Sequence, residues 1–253
     1  MAWWQRILRL FGRAAPAAPP PDEATPSARF RVGADDPRIA LGREARLRHW
    51  KRIGRPDREL VAYVADPGPA AAAGWPAARQ AYHIVRRHDS LILSTDGLSD
   101  PFVGKAAGES GYGAEVFIEV HGAQEMEAGF LRESWAFAVL EIVAQNIAGF
   151  GGILDRLERE GIVHMGVPLL SPPAPGWSDD LGFSGVLIGL PARRAGAVVD
   201  LPLGPVRYLA VTLLRPDEAL FAARGAENRA RLARLLDAAG HGHVSDPARP
   251  SVL

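Results

Sequence analysis

The acidic residues between Ser94 and Val120 are the first place to look for chemistry. Asp96, Asp100, Glu109, Glu115 and Glu119 all fall within this one stretch. Paired carboxylates act as acid, base or nucleophile on glycosides at separations of roughly 5 to 9.5 Å. Glu115 and Glu119 share one face of a predicted strand but stand about 13 Å apart at roughly 3.3 Å per residue, too far to work as a pair. Asp96 and Asp100 flank a turn and can approach Glu109 or Glu115 as oxygen ligands for a hard cation, although the spacing matches no EF-hand loop.

Other reactive groups form no recognisable constellation. The histidines are His49, His83, His88, His121, His164, His241 and His243, and none builds an H-E-x-x-H helix. His83 alternates with strand neighbours and reads as a half-buried sheet residue, while His241 and His243 fall near a tail expected to be mobile. The absence of cysteine excludes disulfides, thiol nucleophiles and thiolate metal sites. Gly182-Phe183-Ser184-Gly185 and Glu109-Ser110-Gly111 both fall short of a nucleophile elbow. Gly149-Phe150-Gly151-Gly152 lacks the third glycine of a dinucleotide fingerprint and follows a helix, and Gly104-Lys105 has no Walker A loop before it. No catalytic residue, cofactor or metal is therefore expected. The enzyme alternative is a hydrolase built from Asp96, Asp100, Glu115 and either His83 or His121.

The elements that position the acidic stretch are legible from pattern. Strands are predicted at Tyr82–Arg86 and Leu91–Ser94, joined as a hairpin through Arg87-His88-Asp89-Ser90. The next strand places Ala114, Val116, Ile118 and Val120 on a core face, and Glu115, Phe117 and Glu119 on a mixed one. Between them, Asp96-Gly97 supplies turn geometry and Asp100-Pro101 removes a backbone donor. Asp36-Pro37 starts a helix running to about Arg52, whose Arg43, Arg46, Arg48, Lys51 and Arg52 read as a solvated face. Arg132–Ala148 is the most regular apolar helix, stopped by Gly149, Gly151 and Gly152. Strands follow at Ile162–Leu169, Val186–Leu190 and Val206–Leu214. A helix opens at Pro216-Asp217-Glu218, breaks at Gly225 and resumes over Glu227–Ala238. Strands and helices without regular alternation predict an α+β fold, a mixed and mainly antiparallel sheet flanked by helices.

Domain organisation follows from composition. Residues 1–12 put Trp3, Trp4, Ile7, Leu8, Leu10 and Phe11 on one helical arc and Gln5, Arg6 and Arg9 on the other, the pattern of an interfacial membrane helix. Residues 13–29 form a Pro/Ala-rich linker, which leaves 30–253 as a single globular domain. With 29 basic and 29 acidic side chains, the chain lacks the overall positive charge that grips nucleic acid. Abundant Ala, Gly and Arg with scarce Lys looks like a GC-rich coding sequence.

The turn and strand carry a resemblance. Ser94-Thr95-Asp96-Gly97-Leu98-Ser99, followed by Gly111-Tyr112-Gly113-Ala114-Glu115-Val116, resembles the suppressor-of-fused-like domain family. Trp135 opening an apolar helix, Gly166-Val167-Pro168-Leu169, Leu213-Leu214-Arg215-Pro216-Asp217-Glu218 and Asp246-Pro247-Ala248-Arg249 extend it over about Arg31 to Val252. The resemblance implies a non-enzymatic protein-binding domain. Animal members sequester a zinc-finger transcription factor, and bacterial members are suspected immunity proteins that neutralise toxins. Composition and tether look more like a bacterial member, so the expected partner is a protein, with a toxin domain as one form and a membrane-associated scaffold role as the alternative. The expected partner site is Thr95, Asp96, Ser99, Asp100, Tyr112 and Glu115. The expected membrane contact is Trp3, Trp4, Arg6, Ile7, Leu8, Arg9 and Phe11, on the cytoplasmic side at the inner face of the membrane.

Overall fold

Asp36 caps the first helix as its sequence demands. Its side chain accepts from the Arg38 amide at 2.9 Å, with Pro37 at the first helical position, and α1 spans Pro37–Lys51. The computed structural model describes residues 32, 35–57, 61–64, 75–76, 79–102, 110–192, 195 and 198–253. The predicted N-terminal helix, its linker and Glu109 lie outside the described residues.

Among the described residues nine strands form one sheet: β1 (Arg55–Pro56), β2 (Val61–Val64), β3 (Arg79–Arg86), β4 (Ser90–Thr95), β5 (Ala114–His121), β6 (Val163–Pro168), β7 (Phe183–Leu190), β8 (Val198–Leu201) and β9 (Gly204–Leu214). Their order is β1-β3-β4-β5-β9-β7-β6, with β2 also on β3 and β8 also on β9. Every ladder is antiparallel except β5–β9, which is parallel. The remaining helices are α2 (Ala128–Arg132), α3 (Trp135–Phe150), α4 (Ile153–Glu160), α5 (Pro216–Ala222) and α6 (Ala226–Ala238). This is the α+β arrangement that the pattern predicts.

Alternation along the strands sorts side chains into two layers. Leu91, Leu93, Val116, Ile118, Leu209 and Val211 pack under Phe137, Leu140, Val143 and Ile147 of α3. The opposite parity, Ile92, Phe117, Tyr208 and Ala210, packs with Ala45 and Trp50 of α1, while Leu187 and Leu214 meet Leu232 and Leu236 of α6. The central strands are thus covered on both faces, so the mixed face of β5 is as buried as its core face.

Several local predictions change: α3 runs through Gly149 to Phe150, and α4 and β8 stand where the pattern predicts no element. The long helix begins at Trp135, where Ser134 caps it, and α2 is a separate element before it. The C-terminal tail does not fray. The β5–β9 ladder ends at Phe117 and Ala210, and beyond it Ser245 joins the two strands. Its amide donates to Glu119 O, its carbonyl accepts from the His121 amide, and its hydroxyl accepts from the Leu213 amide. Hydrogen-bonding groups left unpaired where two strands part would be costly, so the segment is held there by the sheet itself.

Candidate functional site

The structure brings Asp96, Asp100 and Glu115 together, and a helix residue organises them. Ile39, Gly42, Arg46, His49 and Trp50 fall on the inward stripe of α1, which aims Arg46 at the turn between β4 and β5. Arg46 Nε donates to Asp96 Oδ1 at 2.6 Å, Nη1 to Ser99 Oγ at 3.0 Å and Nη2 to Asp100 Oδ1 at 2.7 Å. Glu115 Oε1 lies 3.7 Å from Arg46 Nε. Arg46, Asp96, Asp100 and Glu115 are each no more than 1% exposed. The predicted solvated face of α1 is therefore corrected at this position: Arg46 is a buried cation, and the acids converge on it.

Glu115 ties the loop's backbone together. Its Oε1 accepts from the Gly97 amide at 3.1 Å, the Ser99 amide at 3.0 Å and the Ser99 hydroxyl at 2.6 Å. Its Oε2 accepts from Thr95 Oγ1 at 2.5 Å, and the same Thr95 oxygen accepts from the Val116 amide. These bonds convert a turn with few backbone partners of its own into a fixed object. Gly111 closes it. A Cβ there would stand 2.4 Å from both the Leu98 and Asp100 carbonyl oxygens, at a backbone φ of 23°, so only glycine fits. Tyr112 leaves the cluster on the other side, its hydroxyl donating to Ala148 O at 2.7 Å, and burial pushes its phenol up to about 12.

Electrostatics separate the two aspartates. Burial opposes ionisation of Asp96, but the Arg46 guanidinium, with His83 and Arg79 close by, overrides it and holds the carboxyl well below its ordinary range. Arg79 Nη1 donates to Asp96 Oδ2 at 3.1 Å, and His83 Nε2 stands 3.5 Å from Oδ1. Burial also strains Arg46, yet the combined field of Asp96, Asp100 and Glu115 keeps it firmly charged. Asp100 goes the other way. Burial pushes it up to about 6, Arg46 offsets part of that, and Asp96 and Glu115 repel its charged form. Its Oδ2 has no hydrogen-bond partner among the described residues, as suits a group whose charge is only half compensated.

The Asp100 assignment makes a pH prediction. A carboxyl harder to ionise in the folded chain than its ordinary 3.8 binds a proton on folding between about pH 4 and about pH 6. Its stabilising contribution is full below that window and is lost as pH rises through it. The separation corresponds to on the order of 3 kcal/mol. Asp100→Asn keeps a neutral acceptor for Arg46 and is expected to abolish this component. Urea unfolding of both proteins at about pH 4 and about pH 7 checks it. A stability difference between the two that does not change with pH contradicts the assignment.

In this geometry the acids of the cluster close around Arg46. The acids do meet, as the hydrolase alternative requires, with His83 beside them, but Arg46 fills the space between them and the described cavities are lined by other residues. His121 is exposed at the far end of β5. Among the described residues no group of three metal-ligating side chains is arranged to hold an ion.

No family model matches the chain, and no curated protein matches it in sequence. Among solved structures it is similar to that of a Sufu–Fu complex, with a TM-score of 0.49 and 14% identity over 84% of this chain and 92% of that one. It is also similar to the crystal structure of Drosophila Suppressor of Fused, with a TM-score of 0.49 and 13% identity over 93% of this chain. The chain spans 54% of the Drosophila protein. The likeness is one of fold.

A second buried ion centre escaped the sequence reading. Arg249 Nη1 and Nη2 each meet a Glu218 oxygen at 2.6 Å, and both side chains are fully buried. Glu218 also accepts from the Arg215 and Val252 amides. Arg215 lies over the Trp177 ring at 4.2 Å, and Trp177 Nε1 donates to Pro247 O at 3.1 Å. Nearby, His243 Nε2 stands 2.9 Å from Glu119 Oε2, so this histidine is docked, not mobile. Burial opposes ionisation of Glu119, but bonds from His243 and Ser90 pull it below its ordinary range. The sequence signal was present: a capping-box glutamate opening α5, and one arginine in an otherwise small polar tail.

Proposed function

We propose that this chain is a non-enzymatic protein-binding domain in which the acidic loop is a structural clamp. The observation that carries the reading is the enclosure of Asp96, Asp100 and Glu115 around Arg46, with no more than 1% of any of them exposed. Carboxylates buried against a guanidinium and backbone amides have no access to a substrate. Thr95, Asp96, Ser99, Asp100 and Glu115 contribute to recognition by holding the loop's shape, and Tyr112 by tying it to the end of α3. Large apolar side chains also stand on the outside, among them Phe130, Phe150, Leu170 and Leu181 at 66, 72, 101 and 70% exposure.

The sequence resemblance supports a protein partner and, as the finer reading, direct neutralisation of a toxin domain. Cross-linked capture by the full chain, followed by binding and intact-mass measurement on the purified partner, tests the proposal. Saturable binding that leaves the partner's mass unchanged is expected. A change in the partner's mass that disappears in Glu115→Gln would make the chain an enzyme.

The pattern of residues 1–12 supports a second element, peripheral contact with the inner face of the membrane from the cytoplasmic side. Liposome co-sedimentation of the full chain and of a chain starting at Arg29 tests it. Equal binding by both removes the membrane role.

A further inference from the structure

The corner between α3 and α4 holds a cavity of about 350 Å³ that the acidic loop does not use. The two helices turn through 100° there, at Gly151 and Gly152, both with positive φ. Val143, Ile147, Ile153 and Ile188 are buried side chains that form its floor. Its rim carries Asn146, Phe150, Asp155, Arg156 and Arg159. Arg156 and Arg159 stand three residues apart on α4, which makes them neighbours on one helix face.

Neither arginine is committed elsewhere as Arg46 and Arg249 are. Among the described residues Arg156 has one ion contact, with the part-exposed Glu160 at 3.7 Å, and Glu160 is itself held by Arg229 at 2.8 Å. Arg159 makes no ion pair among the described residues. The volume lies at the small end of ligand sites and accommodates a few side chains. An apolar floor beneath paired guanidiniums selects a ligand with an apolar body and an acidic head, because guanidinium groups meet carboxylates in a planar fork. Asp155 on the same wall leaves one net positive charge, which suits a carboxylate monoanion over a phosphate dianion.

We infer that the α3–α4 corner is the docking site for an acidic, amphipathic segment of a protein partner, one that seats an apolar side chain in the cavity and an adjacent Asp or Glu between Arg156 and Arg159. This rests on the protein-binding reading and gives that reading a surface. It also gives Tyr112 a consequence. The Tyr112 hydroxyl bonds Ala148 O, and its ring lies 3.8 Å from where a Gly151 Cβ would stand, so the clamp at the acidic loop buttresses one wall of the corner.

The test uses fluorescein-labelled synthetic peptides carrying one Asp or Glu between Leu and Phe residues, with matched Asn/Gln and Lys versions, in anisotropy titrations against the full chain. Arg156→Glu/Arg159→Glu is the variant, and since both side chains lie outside the core it should stay folded, its thermal transition lowered only slightly by the new like-charge contacts with Glu160 and Asp155. Acidic peptides should bind the wild type about tenfold or more tightly than the amide versions, and the variant should prefer the Lys versions. The inference is overturned by equal binding of acidic and amide peptides, by no binding up to about 1 mM, or by an unchanged preference in the variant. Capture of the native partner reads the two ideas apart: a partner held equally by wild type and variant ends the docking site and leaves the binding role standing.

Discussion

Replacing Arg46 with methionine is expected to destabilise the fold by roughly 3–5 kcal/mol, as removal of one member of a buried ion cluster does. A solvated arginine on a helix would change stability by about 0.5 kcal/mol or less, so the two descriptions of α1 differ by a margin that urea unfolding resolves easily. The reason for the large value is what remains. Without the guanidinium, Asp96 loses its strongest partner, and among the described residues Asp100 keeps no side-chain donor and Glu115 keeps its loop donors alone. Arg46→Lys should recover only part of the loss, because an ammonium cannot reach Asp96, Ser99 and Asp100 with the spread of a guanidinium. A Met variant with wild-type stability would mean that the cluster contributes nothing net.

Arg249→Met is expected to have a comparable effect, again roughly 3–5 kcal/mol, although the residue stands near the end of the chain. Loss of Arg249 strands a fully buried Glu218 and frees the strap that carries Pro247 and Ser245. The strap joins β5 to β9, so its release should also expose strand amides. Glu218→Met/Arg249→Met should cost less than the sum of the single changes, since the pair is removed together, and a double-mutant cycle measures that coupling. Additive effects, or a mild Arg249→Met, would show that the tail rests on the sheet without holding it.

These two residues also mark where sequence reasoning stops. Most strand positions were legible from their apolar runs and α3 from its broad apolar stripe, whereas the short α2, α4 and β8 were not anticipated. The turn was legible through its glycines and aspartates. Arg46 was not, because Arg43, Arg48, Lys51 and Arg52 surround it in sequence and only one of these five is turned inward. The spacing of Ile39, Gly42, Arg46, His49 and Trp50 was the available signal, a charge on an otherwise inward stripe. The acids were singled out as a partner site, and which cation they surround depends on a contact fifty residues away in the chain, for Arg46 and Asp96. Arg249 was hidden for the same reason: a polar tail looks mobile until its partner across the fold is known. The α3–α4 cavity has no sequence signature, since it arises from the angle between two helices.

Amide hydrogen exchange at Gly97 and Ser99 tests the central claim most directly, because both amides donate to the buried Glu115 carboxylate and to nothing in regular secondary structure. A clamped loop predicts that they exchange as slowly as the amides of central strand β5, and that Arg46→Met speeds them selectively. Exchange at these two positions as fast as at the exposed hairpin residues His88 and Asp89 would contradict it, and would reopen the acidic loop as a surface for direct contact.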